Sequence, residues 1–360
     1  MTNKKILIVG AGGFIGGFIA RRALDLGYET WVGIRASTSR QYLDDKRLHF
    51  IQFDYDDPES LRHTLRTALP ENDKWDFIIW NLGATKCANF ADFNRINYIY
   101  LKDFVDCLIE LDITPERFLF MSSLSALGPG DEKNYSPLTD ASIPNPNTRY
   151  GVSKIKAETF LATVADKLNW IIFRPTGVYG PHEKDYLMMI KSIDRGWDVG
   201  MGYKKQILTF VYVEDLVNAM FDALQAPLHK VLHKKYIISE DRAYTQKDFR
   251  KIVSRHLNKK FVIPIKFPMW VVLSVSIVAE KIAVAKGKAS TLNRDKFKIM
   301  KQRNWNCDIS PAKNDFGFSP RWSLDDGINE TVYAYLLEKQ SRKTKKNSNS
   351  NHKPVEEAQK

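Results

Sequence analysis

Short apolar and β-branched runs recur through the first 180 positions, each followed by a stretch with helical spacing. The clearest are Lys5–Val9, Thr30–Ile34, His49–Phe53, Phe77–Trp80, Phe118–Ser122 and Trp170–Phe173. Strands separated by helices predict βαβ units on a parallel sheet. Right-handed crossovers leave the doubly wound arrangement as the expected α/β fold. Ile207–Val213 and Tyr236–Ile238 read as further strands. The looser segments 181–206 and 241–338 predict a smaller, mostly helical domain beside the sheet. The large domain is then expected to hold residues 1–180 and 207–240.

One run breaks the pattern. From Phe267-Pro268-Met269-Trp270 the chain stays apolar through Val278 and Ala279, and resumes after Glu280 and Lys281. Pro268 suits a first helical position and Gly287 a position just past the end. The uncharged part is too short to span a bilayer, which needs about 20 apolar residues. Two readings stay open: a buried helix of the small domain, or a helix that lines a lipid pocket or dips into a bilayer surface.

With 360 residues, 44% of them hydrophobic, the chain can bury a full core. Three widely spaced cysteines (Cys87, Cys107, Cys307) without a C-x-x-C argue against a disulfide framework or a zinc site and point to a reducing, cytoplasmic compartment. No metal is expected. The N-terminus carries no apolar signal segment before its first strand, so export is not expected. The net charge is +12, and the last twenty residues contribute six Lys/Arg against Glu356 and Glu357. That polar stretch cannot bury a core, and residues 339–360 are expected to be a disordered basic tail. Such charge suits an anionic membrane face, a nucleic acid or a phosphorylated ligand, or is simply a solvated surface.

The first strand leads into Gly10-Ala11-Gly12-Gly13-Phe14-Ile15-Gly16 and an apolar helix. Glycines at a strand-to-helix turn let the backbone approach a pyrophosphate, and the helix N-terminus offers free amides. This context marks a Rossmann dinucleotide-binding domain. No acid closes the second strand to take a ribose hydroxyl. Arg35 and Arg40, with Ser37 and Ser39, are placed for a 2′-phosphate, which favours NADP(H) over NAD(H). Asp54, beside Tyr55, is a candidate for the adenine amino group or a turn residue. Tyr150 and Lys154 stand four apart, on one face of a helix. An ammonium near a phenol favours the phenolate, which brings a tyrosine toward proton transfer at neutral pH.

Together the glycine turn, Tyr150-Gly151-Val152-Ser153-Lys154 and Arg174-Pro175-Thr176-Gly177-Val178-Tyr179-Gly180-Pro181 resemble the extended short-chain dehydrogenase/reductase family. The resemblance covers about residues 4–338. It implies an NAD(P)-dependent oxidoreductase with Ser123, Tyr150 and Lys154 as its catalytic group, and Asn97 supporting the lysine through water. Aligning on Gly128 selects Ser123 over Ser122. It also implies cofactor contacts from Leu82, Gly83 and Ala84 at the fourth strand, and from Pro175, Gly177 and Val178 against the nicotinamide. Homodimers are common in the family.

Sugar-nucleotide members usually carry an Arg just before the strand equivalent to Phe210–Val213, where this chain has Leu208-Thr209. Lys204, Lys205 and Arg195 are candidate substitutes. Dehydratases carry an Asp-Glu pair where Leu124-Ser125 stand. The apolar run near 268–286, with Thr291–Asp308 and Phe316–Pro320, resembles the sterol-dehydrogenase and ceramide-reductase branch instead. The leading expectation is therefore reduction of a ketone on a lipid-like small molecule, best guessed as a keto-sphingoid or keto-ceramide. Peripheral contact with the inner membrane face would accompany it, and no nucleic acid. The alternative is a nucleotide-sugar epimerase, dehydratase or reductase. A non-catalytic dinucleotide sensor is a third reading, disfavoured because Tyr150 and Lys154 are both present.

Overall fold

A computed structural model describes residues 4–286, 290 and 292–350. β1 (Lys5–Val9) turns through the glycines into α1 (Phe14–Asp25), and β2 (Glu29–Ile34) and β3 (His49–Gln52) follow. Next come α2 (Pro58–Thr67), β4 (Phe77–Trp80), α3 (Phe90–Asn94), a π-helical turn (Arg95–Ile99), α4 (Tyr100–Glu110), β5 (Arg117–Met121), α5 (Arg149–Thr163) and β6 (Trp170–Pro175). Then follow β7 (Gly177–Tyr179), α6 (Lys184–Asp194), β8 (Trp197–Met201), β9 (Leu208–Tyr212), α7 (Val213–Gln225), α8 (Leu228–Val231) and β10 (Lys235–Ile238). The last part holds β11 (Ala243–Tyr244), α9 (Gln246–His256), β12 (Ile263–Phe267), α10 (Met269–Ala285), α11 (Arg294–Lys301), α12 (Ser310–Phe316) and α13 (Leu324–Ser350).

Seven strands form one sheet in the order β10-β6-β5-β4-β1-β2-β3, every neighbouring pair parallel. The alternation of β1 explains why both faces must be covered. Ile6 and Ile8 enter a core shared with Ile19 of α1 and Leu216 and Met220 of α7. Leu7 and Val9 enter the opposite core with Leu61, Phe104 and Leu161. The chain reverses direction across the sheet between β3 and β4, so a crevice opens beyond the carboxyl ends of β1 and β4, where ligands of such sheets bind. The expected doubly wound domain is thus present, with a mostly helical region after it.

Four details depart from expectation. The run around Phe210 does not join the main sheet; β9 pairs with β7 and β11 in a sheet of its own. Its aromatic residues pack with Tyr179, Phe249, Leu324 and Ile328 in a third core. β8 and β12 form a separate parallel pair where only loose chain was expected. Helix α13 continues to Ser350, into the tail expected to be disordered from residue 339; residues 351–360 lie outside the described residues.

The fourth departure is α10, which is not a buried helix: Trp270, Val275, Val278 and Ile282 are exposed. Pro268 sits just before its first residue rather than in it, and its carbonyl accepts from the amides of Val271 and Val272. Gly287 lies outside the described residues. Among the described residues, no helix is long and apolar enough to cross a membrane.

Candidate functional site

The glycine turn is sterically compulsory at two points. Gly10 has φ +83° and packs on the fourth-strand loop so closely that a Cβ would lie 2.7 Å from the Leu82 backbone. At Gly16 a Cβ would collide with the Gly10 carbonyl, which fixes α1 hard against β1. Gly13 caps α1 without any side chain, and no acid stands in the first turn. The amides of the first turn, Phe14, Ile15 and Gly16, therefore have no helical acceptor and no side-chain cap. A cradle of this kind fits the pyrophosphate of a dinucleotide.

The loop after β2 folds tightly. Arg35 N donates to Thr38 Oγ1 at 3.0 Å, and Thr38 N donates to the Arg35 carbonyl at 2.9 Å. This turn brings Thr38 against Gly12, where any Cβ would collide with it. The Arg35 side chain is exposed at the strand end, beside Tyr55 and Tyr100. Arg40 lies 4.4 Å over the Phe50 ring. Asp54 is exposed, and its carboxylate already takes the Asp56 amide at 3.0 Å, as in a turn. The Tyr55 side chain is buried, stacked on Tyr100 with ring centres 5.3 Å apart. Only its main chain can face a cofactor.

Tyr150 and Lys154 share one face of α5, as their spacing predicts. Thr148 caps the helix by accepting from Gly151 N at 3.0 Å. The Ser123 hydroxyl stands by the Tyr150 phenol and also accepts from Ser125 N at 3.2 Å. Ser122 turns to the other side and donates to Glu158 at 2.6 Å, so the choice of Ser123 as the residue beside Tyr150 agrees with the geometry.

Lys154, only 3% exposed, donates to the Met121 carbonyl at 2.8 Å and lies 4.9 Å over the Phe120 ring. A Cβ on Gly83 would come within 3.0 Å of Lys154 Nζ and 3.2 Å of Asn97 Oδ1, so the fourth-strand loop closes over both.

Asn97 is fully buried and anchors the fourth-strand loop. Its amide binds both backbone groups of Ala84, accepting at 2.7 Å and donating at 3.0 Å, and donates to Ser153 Oγ at 2.9 Å. It sits in the π-helical turn, a device often found at functional sites. Leu82, Gly83 and Ala84 are thereby fixed beside Lys154. Pro175 ends β6, and the Thr176 amide after it donates to the Ile238 carbonyl at 3.1 Å. Val178 packs on the first core, while the Tyr186 hydroxyl occupies the space a side chain on Gly177 would need.

The electrostatics correct one expectation. Burial raises the Tyr150 phenol, with the Ser123 hydrogen bond opposing. Burial pulls the Lys154 ammonium down to about 7, with the Glu158 carboxylate opposing. The hydrogen bond of Lys154 goes to the Met121 carbonyl, and burial and Ser123 alone set the Tyr150 phenol. The protein alone therefore does not lower Tyr150 in the way the spacing suggested.

Several side chains of the site are paired only by the fold. Glu158 and Arg174 form a fully buried ion pair at 2.6 Å beneath the catalytic helix face. Asp295 of α11 accepts from the Tyr150 amide at 3.2 Å. Asp185 at the start of α6 binds Lys86 at 2.6 Å and Lys296 at 2.7 Å. Lys86 follows the Gly83-Ala84 loop, Lys296 follows Asp295, and Asp185 precedes Tyr186 against Gly177. Two ammonium groups thus converge on Asp185, from segments that adjoin the Gly83 loop and Asp295. Arg195, Lys204 and Lys205 do not join them: Arg195 closes the far end of α6, and Lys205 lies 5.5 Å over Tyr135.

Residues 6–239 match the NAD dependent epimerase/dehydratase family. The chain is 25% identical over 239 residues to the UDP-glucose 4-epimerase of Vibrio cholerae, covering 63% of this chain and 65% of that protein. It is 25% identical to the uncharacterized protein y4nG of Sinorhizobium fredii, over 98% of this chain and 84% of that one. Among solved structures it resembles a Thermotoga maritima UDP-glucose 4-epimerase with UDP-glucose (TM-score 0.73, 20% identity, 93% and 99% covered). It also resembles a dTDP-glucose 4,6-dehydratase from Streptomyces venezuelae with NAD bound (TM-score 0.73, 19% identity, 94% and 98% covered). The glycine cradle and the Tyr150–Lys154 face lie within the matched region, and the chain belongs to the NAD dependent epimerase/dehydratase family.

Proposed function

We propose that the protein carries out reversible, NAD(P)-dependent oxidation and reduction at a sugar carbon of a nucleotide-linked substrate, as an epimerase or reductase. The observation that carries this reading is the convergence of Lys86 and Lys296 on Asp185, with Lys296 next to the Asp295 that binds the Tyr150 amide. Two ammonium groups fit a diphosphate, which can replace the single carboxylate they share. They stand in for the arginine missing before β9. The lipid-ketone reading loses its main support, because the inner side of α10 near Arg149 is polar and its apolar side chains point outward. Leu124 and Ser125 leave no acid pair beside Ser123, which argues against a dehydratase.

The bound dinucleotide would supply the hydride acceptor and donor. Tyr150 takes the proton from the sugar hydroxyl and returns it. Ser123 holds that oxygen. Lys154 sits under the loop Leu82–Ala84 that Asn97 fixes, and the free amides of α1 hold the pyrophosphate. Exposed Arg35 supports a preference for NADP(H).

The test is to incubate the full chain, with NAD⁺ or NADP⁺, with UDP-glucose, UDP-galactose or dTDP-glucose and follow products by NMR. One nucleotide sugar should be converted. Lys86→Ala and Lys296→Ala should each raise KM about tenfold or more, as for a lost charged hydrogen bond, with kcat nearly unchanged. Turnover of lipid ketones alone, with no nucleotide sugar bound, overturns the proposal.

A further inference from the structure

Helix α10 is built inside out. Ser276 (0% exposed) and Glu280 (9%) face the protein. There Ser276 donates to the Val272 carbonyl, and Glu280 takes Arg294 at 3.0 Å and Arg149 at 3.5 Å. The large apolar side chains Trp270 (71%), Val275, Val278 (55%) and Ile282 are turned outward, with Ser274 and Lys281 exposed among them. Positions 275, 278 and 282 fall on one stripe of a helix.

More exposed apolar side chains lie on the strand pair that precedes the helix. Ile263 and Phe267 on β12, and Trp197 and Val199 on β8, are exposed on the strand pair that feeds α10. Tyr203, also exposed, donates to the Lys266 carbonyl at the β12–α10 junction. Single exposed apolar residues need no explanation, but a continuous set does.

The charges around this face are sorted by sign. Within residues 197–205 and 260–286 the acids are Asp198 and Glu280. Both are buried and paired, Asp198 with Arg250 at 3.3 Å. Lys204, Lys205, Lys260, Lys266, Lys281 and Lys286 are all exposed. A second copy docked about a two-fold axis would set this cationic rim against itself. An anionic bilayer meets both the apolar stripe and the lysines.

We propose that α10 and the β8–β12 edge form a docking face for an anionic phospholipid bilayer, with α10 lying in the plane of the interface. Trp270, at the N-terminal end of the helix, sits at headgroup level, where indoles concentrate. The polar inner face stays on the protein, so nothing crosses the membrane. This placement is independent of the sugar the site takes.

The experiment is flotation of the full chain with vesicles of phosphatidylcholine alone or mixed equally with phosphatidylglycerol. The expected result is binding to the mixed vesicles, weakened by salt, and little to phosphatidylcholine alone. Trp270→Glu with Val278→Glu should cut binding about tenfold or more, since apolar burial and sign are both reversed. The melting temperature should stay unchanged, because both side chains are exposed. Lys266→Glu with Lys281→Glu should do the same through charge alone. Removing residues 351–360 should leave binding in place. The proposal is overturned if the chain does not float with anionic vesicles at low salt, or if only the tail deletion abolishes binding. It is equally overturned if Trp270→Glu with Val278→Glu converts a dimer to a monomer while no vesicle binding is seen.

Discussion

Helices α5 and α10 each turn a carboxylate toward the protein, and they meet where Arg149 of α5 reaches Glu280 of α10 at 3.5 Å. Their surroundings differ. On α5, Glu158 is sealed in with Arg174, while Ala157 and Leu161 join the core beneath the sheet. Polar and apolar side chains both go inward, and the polar ones end in a reacting group. On α10 Ser276 and Glu280 go inward, while Trp270, Val275, Val278 and Ile282 are exposed. A buried charge with every partner in place organises chemistry within the fold. An apolar stripe backed by buried polar groups points to a contact beyond it.

Four measurements test that contrast. Tyr150→Phe should lower turnover by about 10³-fold, within the range for loss of an acid–base group, with cofactor affinity retained in fluorescence titration. Trp270→Glu should leave turnover within about twofold, as expected of an exposed site away from the reaction. Full turnover by Tyr150→Phe would remove the catalytic role from α5.

Glu158→Gln strands a buried guanidinium and should cost about 3–5 kcal/mol in urea unfolding. Glu280→Gln should cost about 1 kcal/mol, because Arg294 is exposed and can turn to water. Equal losses would erase the distinction between the two carboxylates.

The pH response of Lys154 is the third measure. Its pKa in the fold is about 7 against 10.5 unfolded. Between these values the unfolded chain holds more protons, so this group makes stability rise with pH across the window. Its penalty is fully present below 7. Lys154→Met should flatten the rise, with the two proteins' urea midpoints converging toward pH 10. A parallel pH dependence would place the charge of Lys154 elsewhere. Smallest of all, Val275→Ser on the outer face of α10 should change stability by no more than about 0.5 kcal/mol.

The proximity of the proposed reacting residues was legible because their spacing is local. Gly10 to Gly16, Tyr150 with Lys154, and Ser123 ahead of Gly128 each fall within one turn or one helix face. The strands of the main sheet were legible too, since burial on both faces leaves unbroken apolar runs such as Phe77–Trp80. What escaped is non-local. Glu158 stands four past Lys154 and Arg174 opens a separate motif, and only the fold makes them a pair. Asp185 gathers its two lysines from distant segments. β8 and β12 hide because Gly200 and Pro264 interrupt them and both lie at the surface, so no buried face imposes alternation. The orientation of α10 was invisible for a simpler reason: an apolar helix reads alike whether its apolar side faces in or out.

The π-helical turn at Arg95–Ile99 has a consequence for how this region can vary. A wider turn acts as a phase shift. Each inserted residue rotates everything after it by roughly 100° about the helix axis. Ahead of the turn Phe93 is set 6.2 Å from the Tyr150 ring, and behind it Tyr100, Leu101 and Phe104 face the sheet. One uninterrupted α-helix would have a single phase and could satisfy only one of these surfaces. The slip lets the two halves be timed separately, with Asn97 at the point where the clock is reset.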